Sequence, residues 1–144
     1  MILAIDPGTH KSGYVLFDEG RVITSGVMDN HDLLKIIRDS NADQFAVEKF
    51  VSYGSAVGQE CFDTCVWIGR FVEAWIEPDE VMLIPRRDVK RFVCGKGKWD
   101  DSDVREHLIA RLGDPGNKKA PGPTYGVTSH AWAALGVAVT AANT

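Results

Sequence analysis

Long apolar runs are missing from this 144-residue chain. No stretch approaches the ~20 consecutive apolar residues that a membrane-spanning helix needs. The amino terminus also lacks the basic start of a secretory leader, so a cytoplasmic protein with no membrane partner is expected. Cysteine is scarce, and Cys61, Cys65 and Cys94 are an odd number, which argues against a disulfide framework. Cys61 and Cys65 lie four apart in an apolar helical pattern, with no second Cys or His pair at zinc-site spacing; core packing is their expected role. Repeats, low-complexity tracts and linkers are absent too, which leaves a single domain over residues 1–144.

An excess of basic charge is also missing. The chain has 16 Lys and Arg against 20 Asp and Glu, a net charge of −4, which weighs against nucleic acid as a partner. The distribution says more than the sum. The segment "RRDVKRFVCGKGK" carries Arg86, Arg87, Lys90, Arg91, Lys96 and Lys98 against one acid, Asp88, and a second small cluster is Lys118-Lys119. An acidic body with a basic stripe can bind phosphate backbones through the stripe, although on charge alone a solvated helix face is the simpler reading.

What is present is the composition of a folded domain, 44% apolar and 25% charged, with well-separated elements. Met1–Asp6, Ser12–Phe17 and Arg21–Val27 read as a three-stranded meander with turns at Pro7-Gly8-Thr9 and Asp18-Glu19-Gly20. His31–Asp39 reads as a helix capped by Asp29 or Asn30. Phe45–Phe50 is the next strand, and a helix from Gln59 to Ile76 keeps a 3.6-residue period through Cys61, Phe62, Cys65, Ile68, Val72, Trp75 and Ile76. Val81–Ile84 is a fifth strand, followed by a helix from Pro85 to Val93 and one capped by Ser102 or Asp103. The segment 113–126, with four glycines and three prolines, must be a loop before an Ala-rich helix capped by Ser129. A meander followed by α/β crossovers predicts an α/β fold, a mixed five-stranded sheet flanked by helices.

Two acids sit where strands should be apolar. Asp6 ends the first strand and is explained equally well as a turn residue, since Asp accepts backbone N–H bonds there. Glu48 is harder to explain, because "FAVEKFV" surrounds it with apolar neighbours and an unpaired buried carboxylate is costly; a salt bridge to an Arg is the plain alternative. Two carboxylates on neighbouring strands could hold Mg²⁺ or Mn²⁺, and a two-ion site could drive phosphodiester hydrolysis. The last helix is the candidate source of a further ligand.

Four segments together resemble the RuvC-type Holliday-junction resolvases of the ribonuclease H-like superfamily. "ILAIDPGTHKSGYVLF" is similar to their first strand, which ends on a catalytic Asp, and "VEKFV" to their second acidic strand. "RRDVKRFVCGKGKWDDSDVREHL" resembles their basic DNA-contacting segment, and "HAWAALGVA" their last active-site helix, which reads Asp-x-x-Asp-Ala-Leu-Ala or His-x-x-Asp-Ala-Leu-Ala. The resemblance implies a ribonuclease H-like fold and a crossover-junction endodeoxyribonuclease acting as a homodimer on branched, four-way DNA. It implies two Mg²⁺ or Mn²⁺ ions per site, with Asp6, Glu48 and His130 as catalytic metal ligands. Arg86, Arg87, Lys90, Arg91, Lys96, Lys98 and Tyr53 would contact DNA. Its setting is a bacterial cytoplasm or a phage-infected host, and the compact length and the departures from the family's pattern suit a bacteriophage member as well as a cellular one.

Two departures stand out. Ala133 occupies the position of the family's final carboxylate, so cleavage is expected to be impaired, as in an Asp-to-Ala variant. Asp101 stands where some members carry a Lys, and Lys96 or Lys98 is the expected substitute for that charge. Trp99, beside Lys98, either stacks on a base or anchors its loop. Other readings are a non-cleaving junction-binding protein, a ribonuclease H-like RNA-processing nuclease, and an actin-like ATPase built on the "DPGTHKSG" hairpin. The last needs two such domains.

Overall fold

A computed structural model describes residues 1–144. Its elements are β1 (Ile2–Asp6), β2 (Lys11–Asp18), β3 (Arg21–Asp29), α1 (Asn30–Asp39), β4 (Gln44–Lys49), α2 (Gln59–Ala74), β5 (Met82–Pro85), α3 (Arg86–Cys94), α4 (Asp101–Leu112) and α5 (Ala131–Ala142). A short 3-10 turn, Pro78–Glu80, leads into β5 and is not announced by the hydrophobic pattern. The strands form one sheet in the order β3-β2-β1-β4-β5. Pairing is antiparallel through β1, β2 and β3, and parallel from β1 to β4 and from β4 to β5. This is the expected mixed five-stranded α/β architecture. No helix is long and apolar enough to cross a membrane.

Helices cover both faces of the sheet, which is why central β1 buries Ile2, Leu3, Ala4 and Ile5 without alternation. The period of two still decides which face each side chain enters. Leu3, Ile5, Phe45 and Val47 pack with Leu33, Ile37, Ile68 and Phe71 under α1 and α2. Ile2, Ala4 and Ala46 pack on the other face with α3, α4 and α5. Helix α5 is apolar almost all round and correspondingly buried. Its Gly136 lets α3 approach, since a Cβ there would lie 2.9 Å from Val89 Cγ1.

Three local expectations need correction. The buried stripe of α2 is Thr64, Ile68 and Phe71, with Trp75 buried just past its end, while Phe62, Cys65 and Ile76 are exposed and Cys61 is half-buried. The inward face is therefore rotated from the one the apolar positions imply, and Cys65 is not core. Helix α4 is capped by Asp100, whose side chain accepts from Asp103 N while Asp103 caps back onto Asp100 N, so Ser102 is not the cap. Helix α5 starts after His130, and Ser129 adopts a left-handed φ of 50° in the turn before it.

Candidate active site

Strand parity brings the two acids together. Asp6 follows Ile2 and Ala4, and Glu48 follows Ala46, so both side chains leave the sheet on the α5 face. Parallel pairing of Ile5 with Val47 places the two acids at adjacent strand ends. Their side chains are 12% and 14% exposed, and their carboxyls lie within hydrogen-bonding reach of each other. Burial, reinforced by the hydrogen bond to Asp6 and its charge, pushes Glu48 up to about 9, with Arg86 opposing. Burial also raises Asp6, opposed by its hydrogen bond with Glu48 and by Arg86. Both shifts favour the protonated form of the pair.

The turn after Asp6 is fixed by a small polar network that the sequence does not advertise. Gly8 N donates to Ser12 Oγ at 3.0 Å, Ser12 Oγ donates to Asn30 Oδ1 at 2.6 Å, and Asn30 Nδ2 donates to Gly8 O at 2.9 Å. Ser12 and Asn30 are fully buried, so these bonds replace water for groups that would otherwise be orphaned. Gly13 brings the start of α5 onto β2, because a Cβ at that position would lie 2.3 Å from His130 O. His130 Nδ1 is consequently 3.1 Å from Asp6 Oδ2. With Nδ1 carrying the proton, Nε2 keeps its lone pair free.

Arg86, the first residue of α3, enters from the end of β5. Its Nε is 3.5 Å from Glu48 Oε1, and its Nη2 donates to Asp101 Oδ1. This bond holds the Asp101 carboxyl below the usual range. Lys90 Nζ stands 4.0 Å from the same oxygen. Glu48 Oε1 and Arg86 Nη1 are both buried without a hydrogen-bond partner. Ala133 lies in the first turn of α5 and lines a cavity of about 220 Å³ with Arg86, Asp101, Ser129 and His130.

The donor chemistry fits a hard divalent cation. The two adjacent buried carboxyls and the orphaned Glu48 oxygen are the oxygen donors such an ion would engage. No cluster of three or more His, Cys, Asp or Glu donors closes around one point. The Arg86 guanidinium instead supplies positive charge between Glu48 and Asp101.

The remaining basic residues converge as well. Arg87, Lys90, Arg91, Lys96 and Lys98 line a groove of about 560 Å³ that Arg86 also borders. Tyr53 closes one side, with the Arg87 guanidinium 5.3 Å above its ring. Trp99 lines the groove while its Nε1 donates to Gly95 O at 3.0 Å and its ring meets His107 edge-on; it anchors the loop carrying Lys96 and Lys98. A second cavity of about 480 Å³ lies on the other side of Asp6, against the β1–β2 turn and the start of α2. Asp6 thus lines the second pocket, while Glu48 is linked to the basic groove through Arg86. Lys118 and Lys119 lie outside both cavities.

No family model and no curated protein matches the sequence. Solved structures do match the fold. The RuvC of Thermus thermophilus in complex with a Holliday junction substrate superimposes with a TM-score of 0.70 at 21% identity, over 98% of this chain and 92% of that one. The structure of Thermus thermophilus RuvC superimposes with a TM-score of 0.67 at 21% identity, over the same shares of each chain. The chain has the RuvC-type, ribonuclease H-like fold.

Proposed function

We propose that this protein is a metal-dependent endonuclease that cuts four-way and other branched DNA. The observation that carries the reading is the buried Asp6–Glu48 carboxyl pair at the neighbouring ends of β1 and β4, linked to a basic groove through Arg86, which stands 3.5 Å from Glu48 and borders that groove. It is supported by the likeness in fold to a protein solved on a Holliday junction.

Asp6, Glu48 and His130 Nε2 would hold Mg²⁺ or Mn²⁺, two ions per site, which when bound supply an activated water and charge stabilisation at the leaving oxygen. Arg87, Lys90, Arg91, Lys96 and Lys98 hold the phosphates of the incoming strand, and Tyr53 stiffens the groove wall through Arg87. Such contacts weaken as salt rises. Asp6 orients the His130 ring through Nδ1, and Arg86, 3.5 Å from Glu48 Oε1, ties that carboxyl to the groove. The water oxygen bonds to phosphorus as the bond to O3′ breaks. The water gives its proton to solvent and O3′ takes one up, leaving a 5′-phosphate and a 3′-hydroxyl. Two opposed strands need two sites, and the exposed Phe62, Cys65 and Val66 on α2 offer a homodimer face. The setting is the cytoplasm of a bacterium or of a phage-infected host.

Ala133 favours a second reading, a junction-binding protein with little cleavage, since a methyl group binds no cation. Labelled four-way, three-way and linear DNA are to be compared for binding in Ca²⁺ and for cutting in Mg²⁺ and Mn²⁺, with the wild type and with Ala133→Asp. Preference for branched DNA and faster cutting by the variant are expected. Equally weak binding to all three DNAs would refute junction recognition, and unchanged cutting would refute the role given to position 133.

A further inference from the structure

The basic residues of the groove are not equivalent. Arg86 alone reaches from the groove to the carboxyls, bordering both the groove and the small cavity beside Ala133. Its guanidinium uses Nε toward Glu48 and Nη2 toward Asp101, and leaves Nη1 with no acceptor. The rest of the guanidinium is accessible, the side chain being 27% exposed at the groove, and a guanidinium matches a phosphate through paired N–H groups. Asp101 is 83% exposed, so its bond to Arg86 adds little stability of its own. The bond does fix where the guanidinium points. The corner so filled is the one in which Ala133 presents only a methyl group.

Resting on the nuclease reading above, we propose that Arg86 is a catalytic residue of this site, contacting the reacting phosphate, and that Asp101 is its positioning residue. As the water oxygen bonds to phosphorus and the bond to O3′ breaks, negative charge grows on the non-bridging oxygens. The Arg86 guanidinium, 27% exposed where it borders the groove, meets that charge. Asp101 keeps the fork aimed and draws it off Glu48. The positive charge expected of Lys96 or Lys98 comes instead from Arg86. The arrangement offsets part of what the missing acid at position 133 removes, so the wild-type chain retains cleavage.

The test measures junction affinity in Ca²⁺ by anisotropy and single-turnover cleavage in Mg²⁺ for Arg86→Ala, Arg86→Lys, Asp101→Asn and the Arg86→Ala/Asp101→Asn pair. Loss of one such donor group predicts about a 100-fold lower rate for Arg86→Ala, with affinity little changed. Free guanidinium ion should restore part of that rate, and Arg86→Lys should keep more of it than Arg86→Ala. Asp101→Asn should lose about tenfold in the wild type and nothing further once Arg86 is gone, the non-additivity of residues acting as one unit. A loss confined to affinity, or an Asp101 effect undiminished in Arg86→Ala, would overturn the proposal. A wild-type protein that binds junctions without cutting them would overturn it too, while leaving junction recognition standing. Failure of that recognition shows separately, as equal binding to branched and linear DNA.

Discussion

Glu48→Gln is expected to abolish cleavage and yet to stabilise the metal-free protein. In the folded state the Glu48 carboxyl is pushed up to about 9, whereas its ordinary value is 4.5. Between those two values the folded protein keeps a proton that the unfolded chain has released. Stability therefore falls as pH rises through that window and is level above it. At about 1.4 kcal/mol per pH unit, the cost reached at pH 7 is about 3 kcal/mol. Relaxation of the site and water entering from the groove reduce this to about 2 kcal/mol. A glutamine amide gives Asp6 the donor that the protonated carboxyl provides, with no proton to take up.

Urea unfolding in EDTA, at about pH 5 and about pH 8, measures the difference directly. The variant should match the wild type at the lower pH and exceed it by about 2–4 kcal/mol at the higher. Added Mg²⁺ should then stabilise the wild type and leave Glu48→Gln nearly unmoved, since a ligand that binds only the folded state adds its own binding free energy. A stability gap that is the same at both pH values, or a variant less stable at the higher one, would refute the protonated-pair description of the site.

Other outcomes follow from the same geometry. Asp6→Asn in a chain that also carries Ala133→Asp should keep junction binding and lose cleavage; loss of both in an electrophoretic and nicking assay would mean that Asp6 only holds the turn. Lys96→Ala with Lys98→Ala should weaken binding to every junction sequence alike and lower the salt slope by about one per phosphate contact removed, with the single-turnover rate unchanged; an unaltered slope would count against the groove. If the proposed homodimer uses the exposed face of α2, Val66→Glu should shift the protein from dimer to monomer in light scattering, and an unchanged mass would refute that face.

Much of the fold is legible because its signals are local. A five-residue apolar strand, a two-turn meander and an α5 segment that is apolar on all sides each need one reading. Where α2 was concerned, local periodicity misleads. Phe62, Cys65 and Ile76 extend an apolar pattern onto the solvent side, while Thr64 is buried on the inner side. An exposed apolar residue and a buried threonine look the same, one at a time, as their opposites. Only the sheet beneath α2 tells them apart. The same holds for helix starts, since Asp100, Ser102 and Asp103 are all competent caps and the backbone chooses the reciprocal Asp100–Asp103 pair.

The site divides along a similar line. That Asp6 and Glu48 share a face can be worked out from strand parity once β1 and β4 are known to be parallel neighbours, and the apolar setting of Glu48 marks it as unusual without any structure. Arg86 is different. In the sequence it is one of six bases within thirteen residues, with no feature that separates it from Arg87 beside it. Position on the helix separates them: Arg86 is the residue at which β5 hands over to α3, beside the strand end that carries Glu48, while Arg87 turns to Tyr53 on the far wall of the groove. Asp101, fifteen residues on, completes the distinction only because α4 begins against α3. A charge that looks like one more phosphate contact is thereby held beside the Glu48 carboxyl, in the corner that Ala133 also lines. If so, the alanine and the Arg86–Asp101 pair are parts of one arrangement. Restoring Asp at position 133 should then make cleavage less dependent on Arg86, and an Arg86→Ala loss equally large in both backgrounds would separate the two features again.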